Sequence, residues 1–135
     1  MAKKLAMIFG AVFVVVGLLG LVSNPVVGAN GIFKTNLVHD IVHIALGVLL
    51  LVAMSKGDSA SAMCMKIVGV IYLLVAFLGF TIAKEGSLLG LVDVNTADNY
   101  LHVVLALVLL GASMMKGSET AMPSGGMGGA MPGGI

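Results

Sequence analysis

Four long apolar stretches separated by short polar segments set the layout of the chain. The first runs without a charge from Leu5 to Val22, after Lys3 and Lys4 and before Ser23, Asn24 and Pro25. The second, about Leu37–Met54, closes at Ser55-Lys56-Gly57, where a late Lys and a following Gly are ordinary helix-stop signals. A polar stretch from Asp58 to Ala62 leads to the third, about Met63–Ala83, and the fourth spans about Thr96–Met115 before Lys116-Gly117. Each matches the roughly 17–25 apolar residues needed to cross a bilayer. None has the strict alternation of a membrane β-strand, and backbone groups in hydrocarbon must be satisfied within their own segment, so helices are expected. The expected fold is all-α: a polytopic membrane protein with four transmembrane helices over residues 1–117. Residues 118–135, rich in Gly, Met and Pro, carry too little apolar bulk to offset their ordering entropy and are expected to form a flexible tail.

The pattern also repeats. Asn36, His39 and His43 recur as Asn95, Asp98 and His102, and His43 and His102 lie 59 residues apart. At the same offset Ile8, Gly10, Val16, Leu19 and Gly20 align on Ile67, Gly69, Val75, Leu78 and Gly79, with Phe13 on Tyr72. Two tandem helical hairpins, about 5–57 and 64–117, are expected, related by a pseudo-two-fold axis along the membrane normal. The match also weighs against reading the first apolar run as a secretory signal cleaved near Val27-Gly28-Ala29, because such a segment has no reason to resemble the third. Lys3, Lys4, Lys56, Lys66 and Lys116 fall on one side, against Lys34 and Lys84 on the other. The positive-inside rule then places both termini in the cytoplasm and the connectors Ser23–Thr35 and Lys84–Asn95, with Glu85 and Asp93, outside. The expected location is the cell (cytoplasmic or inner) membrane, as a multi-pass protein in contact with the lipid bilayer.

Composition agrees, with 59% hydrophobic and 10% charged residues. A formal charge of +1 gives no basic field for nucleic acid, and with no Arg there is no bidentate clamp for phosphate or carboxylate. The lone Cys64 excludes an intramolecular disulfide or a CxxC redox pair and is read as a small apolar filler. No Ser-His-Asp ordering, phosphate-binding Gly loop or HExxH stretch is present, so an enzyme is not expected.

The remaining polar residues divide by depth. Asn36 and Asn95 suit helix N-caps, and Asp98 suits the positive end of the fourth helix. His43 and His102 lie seven residues past those caps, about 10 Å along the axis and too deep to cap. Intramembrane ionisable side chains face the bundle interior, so the two histidines are expected to point inward. On each helix the residue four before shares the face, giving His39 with His43 and Asp98 with His102. These four side chains are candidate ligands for a divalent metal such as Zn, Ni or Fe, and His43 with His102 are candidate axial ligands for one haem. The alternative, and the expected one, is a hydrogen-bonded knot in which His39, Asp40, Asn99 and the two deep histidines satisfy one another with no cofactor. Met63-Cys64-Met65 could offer thioether and thiol donors to copper, but ordinary packing of flexible apolar side chains is expected there. Gly10, Gly17 and Gly20, with Gly69, Ala76 and Gly79, form a small-residue seam for helix packing, with the first helix pairing on the third or on a neighbouring subunit.

The stretches Asn36-x-x-His39-x-x-x-His43 and Asn95-x-Ala97-Asp98-x-x-Leu101-His102 make the chain resemble a family of small bacterial four-helix membrane proteins of unknown function. The resemblance spans about residues 5–116. It implies the four-helix topology and no particular activity. The expected role is that of a non-enzymatic scaffold or accessory subunit acting through its helix faces, as a homo-oligomer or within a larger membrane complex. A metal- or haem-binding protein is the alternative.

Overall fold

Small and polar residues, with a few large ones such as Phe13, Leu50 and Leu109, make up the buried stripe of each helix, and most of the bulky aliphatic side chains lie outside. In the computed structural model, which describes residues 1–83 and 85–115, the order is α1 (Ala2–Gly20), β1 (Val27–Gly28), β2 (Phe33–Lys34), α2 (Leu37–Ser55), α3 (Asp58–Leu78), β3 (Gly86–Leu88), β4 (Val92–Val94) and α4 (Thr96–Met114). All four helices, with α3 counted to Ala83, are long and apolar enough to cross a membrane. Helix α1 buries Ala2, Ala6, Gly10, Phe13 and Gly17, a three-to-four-residue spacing, while Ile8, Val12, Val15 and Leu19 face outward. Large apolar side chains line the exterior of the other helices too, as suits a surface solvated by lipid. The tail expected over 118–135 lies outside the described residues.

The helices form two hairpins, α1 with α2 and α3 with α4, and these pairs make the most extensive contacts. The small-residue seam therefore serves a different partner from the one expected. A Cβ at Gly10 would meet Leu51 and the Gly47 carbonyl, one at Gly17 would meet Ile44 and the Asp40 carbonyl, and one at Gly20 would overlap the Asp40 carboxylate, all on α2. Gly69 faces Leu110 and Ala106, and Gly79 faces Asn99, all on α4. The physical reason is that each glycine on α1 or α3 faces the backbone or a side chain of its own hairpin partner, so the missing Cβ lets the two helices of a hairpin approach most closely. Across the middle α1 meets α3 through Phe13 and Tyr72, whose rings stack at 5.3 Å, and Ala76 is buried there.

Helix α3 begins at Asp58, so the segment 58–62 is its first turn and not a loop. An acidic residue suits that end of a helix. Asp58 Oδ1 also accepts the Lys3 backbone N–H at 2.7 Å, and Ser61 Oγ donates to the Gly57 carbonyl at 2.8 Å. Gly57 has φ +113°, a conformation that L side chains rarely adopt, which lets the chain reverse in two residues. At its other end α3 widens into one π-helical turn, Gly79–Ala83.

Both connectors carry short strand pairs that the sequence pattern did not indicate. β1 and β2 pair in parallel, Val27 with Phe33 and Gly28 with Lys34. β3 and β4 form an antiparallel hairpin whose turn has Leu89 at φ 55° and Gly90 at φ 72°, the signs of a type I′ turn. Leu at the first of these positions lacks the Asn or Asp that marks such turns in sequence, which is why the hairpin was not legible.

Candidate functional site at the connector end of the bundle

The two N-caps come first, because they fix where the polar side chains fall. Asn36 Oδ1 accepts the His39 backbone N–H at 3.0 Å, and Asn95 Oδ1 accepts that of Asp98 at 2.9 Å. The same two amides reach across the molecule: Asn36 Nδ2 donates to the Leu91 carbonyl and Asn95 Nδ2 to the Ile32 carbonyl, both at 2.9 Å. Each helix start is thus tied to the connector of the opposite hairpin, and 32 and 91 are themselves 59 apart.

From those starts, His39 and His43 of α2 and His102 of α4 converge. All three are buried, and their ligand-capable atoms lie within 4.8 Å of one another. The His39 and His43 rings stack at 4.8 Å, and the His102 ring is 5.6 Å from His39 and 6.2 Å from His43. Each imidazole uses Nδ1 on a main-chain carbonyl: His39 on Asp93 at 2.7 Å, His43 on His39 at 3.2 Å, and His102 on Asp98 at 2.8 Å. A carbonyl only accepts, so Nδ1 carries the proton, and in the neutral ring Nε2 carries the lone pair. No Nε2 of the three has a hydrogen-bond partner among the described residues. Metal-ligating histidines show the same arrangement, with the outer nitrogen on a carbonyl or carboxylate and the inner one free.

Asp98 borders this cluster. Its Oδ2 is 4.0 Å from His39 Nε2 and 3.1 Å from His102 Nδ1. The second distance is short enough for an ion pair, but the single Nδ1 proton of His102 points to the Asp98 carbonyl, and Oδ2 is left without a donor among the described residues. A carboxylate oxygen that is buried and undonated calls for a cation.

Other expected members lie elsewhere. The Asp40 carboxylate lies over Gly20 and the Asn99 amide over Gly79, because one residue further along a helix turns the side chain by about 100°. Around the two candidate haem ligands the rings pack closely: the His43 and His102 centroids are 6.2 Å apart, and Tyr72 lies 4.8 Å from His102 and 6.1 Å from His43. The copper triplet diverges too, with Met63 exposed, Cys64 buried and Met65 fully buried.

Tyr72 is the site residue that the motifs missed. It is 3% exposed and packs on both His43 and His102. The one available signal was its alignment on Phe13, a hydroxyl added at an otherwise matched aromatic position. Beside the rings a cavity of about 70 Å³ opens between α2 and α3 beneath the β3–β4 hairpin, with His39, Tyr72 and His102 along one wall.

No curated protein and no solved structure matches the chain. A family does, over residues 3–115, which include both caps, all three histidines and Asp98. The chain accordingly belongs to the family described as Domain of unknown function (DUF4383).

Proposed function

We propose that this protein is a multi-pass membrane protein that holds one divalent transition-metal ion on His39, His43 and His102. The observation that carries the reading is the common setting of the three rings: each is buried, each has Nδ1 held by a carbonyl, and a ligand-capable atom of each lies within 4.8 Å of those of the others. Imidazole donors suit Zn, Fe and Ni, and the undonated Asp98 carboxylate supplies charge balance for a dication. Nitrogen donors at about 2.0–2.1 Å around a tetrahedral ion are about 3.4 Å apart. The ligand-capable atoms, within 4.8 Å of one another, would have to draw together by about 1 Å on loading. The accessory-subunit role draws on no comparable contact, so metal binding is preferred.

The two hairpins are, on this reading, tandem copies about a pseudo-two-fold axis, supported by the reciprocal Asn36–Leu91 and Asn95–Ile32 bonds at one offset. The lysine distribution puts both termini in the cytoplasm and the metal site near the outer surface. Reporter fusions at Ser59 should then read cytoplasmic and those at Ala29 and Leu88 external, and the opposite pattern would invert the site.

The metal is tested by elemental analysis of protein purified without chelator or a His tag. About one ion per chain is expected, lost in a His43→Ala variant that keeps its helical circular dichroism. Sub-stoichiometric metal, after growth with Zn, Fe or Ni supplied in turn, overturns the reading.

A further inference from the structure

The cavity beside the histidines has a chemistry of its own. Its walls are Val42 and Leu46 of α2 and Ile71 and Val75 of α3, and it ends on the rings of His39 and His102. Val42 and Ile71 are 41% and 40% exposed on the apolar exterior, so the mouth opens where lipid would lie. No charged side chain lines it. A volume of about 70 Å³ is about twice the 30 Å³ share of one water, too small for an acyl chain or a quinone ring. An apolar space of this size holds water poorly, since water needs 2–4 polar partners.

From this we infer that the metal site takes a small uncharged diatomic molecule, of the class of dioxygen and nitric oxide, which enters from the hydrocarbon side between α2 and α3 and coordinates the ion. The inference rests on the metal reading above and deepens it. Three imidazoles leave coordination positions for a non-protein ligand, and the cavity places the incoming molecule against two of those three rings. Binding is coordination only: the diatomic displaces a solvent ligand, its lone pair forms the new bond, and no net electron or proton is transferred. Dissolved ions are disfavoured on this route, because the apolar lining offers their charge no solvation.

The test uses the full chain in detergent micelles, loaded anaerobically with Fe(II). Iron content is measured before any gas is added. Nitric oxide is then titrated while the optical and electron paramagnetic resonance spectra of an iron–nitrosyl adduct are followed. One adduct per bound iron is expected. A Val42→Trp variant should keep its iron and bind nitric oxide slower by an order of magnitude, whereas Val48→Trp, on the lipid face away from the cavity, should bind at the parent rate. Loaded iron with no adduct, or an unchanged rate in Val42→Trp, overturns the diatomic inference and leaves the metal reading standing. Failure of iron, zinc and nickel alike to load overturns both.

Discussion

Gly47 lies where the backbone of α1 comes close to α2. A Cβ built there would sit 2.7 Å from the Gly10 carbonyl oxygen and 2.8 Å from both the backbone nitrogen and Cγ2 of Val14. Two of the three atoms belong to the backbone of α1 and cannot rotate away. Restoring ordinary contact at about 3.5 Å would need the helices to part by about 0.7 Å or more. That shift would also loosen the packing at Gly10 and Gly17, which face the same helix. Overpacking of this kind costs about 1–3 kcal/mol, against which Ala gains up to about 1 kcal/mol over Gly in helix propensity. Gly47→Ala should therefore destabilise the protein by about 1–2 kcal/mol net. The assay is equilibrium unfolding of purified protein in mixed micelles, by titration with sodium dodecyl sulfate and circular dichroism. Gly111 supplies the control, because nothing lies within 4 Å of a Cβ placed there, and Gly111→Ala should be neutral or stabilising. If Gly47→Ala proved as stable as the parent while Gly111→Ala behaved as expected, the close approach of α1 and α2 would be refuted.

Two further outcomes use the same assay. Asn36→Ala removes both the cap on His39 and the bond to the Leu91 carbonyl, and should cost about 1–2 kcal/mol. Asn36→Asp, which keeps the cap acceptor and loses only the donor, should cost less, and equal losses would show that the cross-connector bond carries the effect. Leu89 is 74% exposed at φ 55°, so Leu89→Asn, a residue that tolerates this backbone region, should raise stability by about 0.5–1 kcal/mol. A loss of stability there would mean that Leu89 contributes packing that its exposure does not reveal.

What was legible in the sequence followed from physics that acts locally. A run of some twenty apolar residues can only cross a bilayer as a helix, so four helices were readable. The Asn residues at 36 and 95 marked two helix starts because their capping bonds span only three residues. The start of α3 was read five residues late, because Asp58 and its polar neighbours look like a loop unless it is known that the Asp58 carboxylate is held there by the Lys3 N–H at the start of α1. Helix pairing was misassigned for a similar reason: glycine spacing identifies a close-packing face and carries no information about which helix approaches it. For the site, the i,i+4 pair His39 and His43 and the offset to His102 were enough to predict convergence. The carbonyl partners were not, since the Asp93 oxygen that holds His39 comes from the opposite connector, 54 residues away in the chain.

Positions at which the two hairpins differ are among those the proposed site uses. Matched positions 59 apart keep the skeleton: Asn36 and Asn95 cap, Gly20 and Gly79 admit a polar side chain, Leu50 and Leu109 fill the core, and Ala53 and Ala112 let the helix ends meet. Around the histidines the match is broken at His39 against Asp98, and at Phe13 against Tyr72, while His43 and His102 are retained. A packing constraint alone would not favour these exchanges, because a buried carboxylate and a buried phenol each need a partner that an apolar residue does not. With each Nδ1 held by a carbonyl, no histidine hydrogen bond reaches Asp98 Oδ2 among the described residues, and on the proposed reading a cation would balance that carboxylate. A proton on an Nε2 or a metal ion bridging several of the rings would both supply that charge, and they compete for the same lone pairs. The metal proposed above, unlike a single proton, would engage all three imidazoles, whose ligand-capable atoms lie within 4.8 Å of one another.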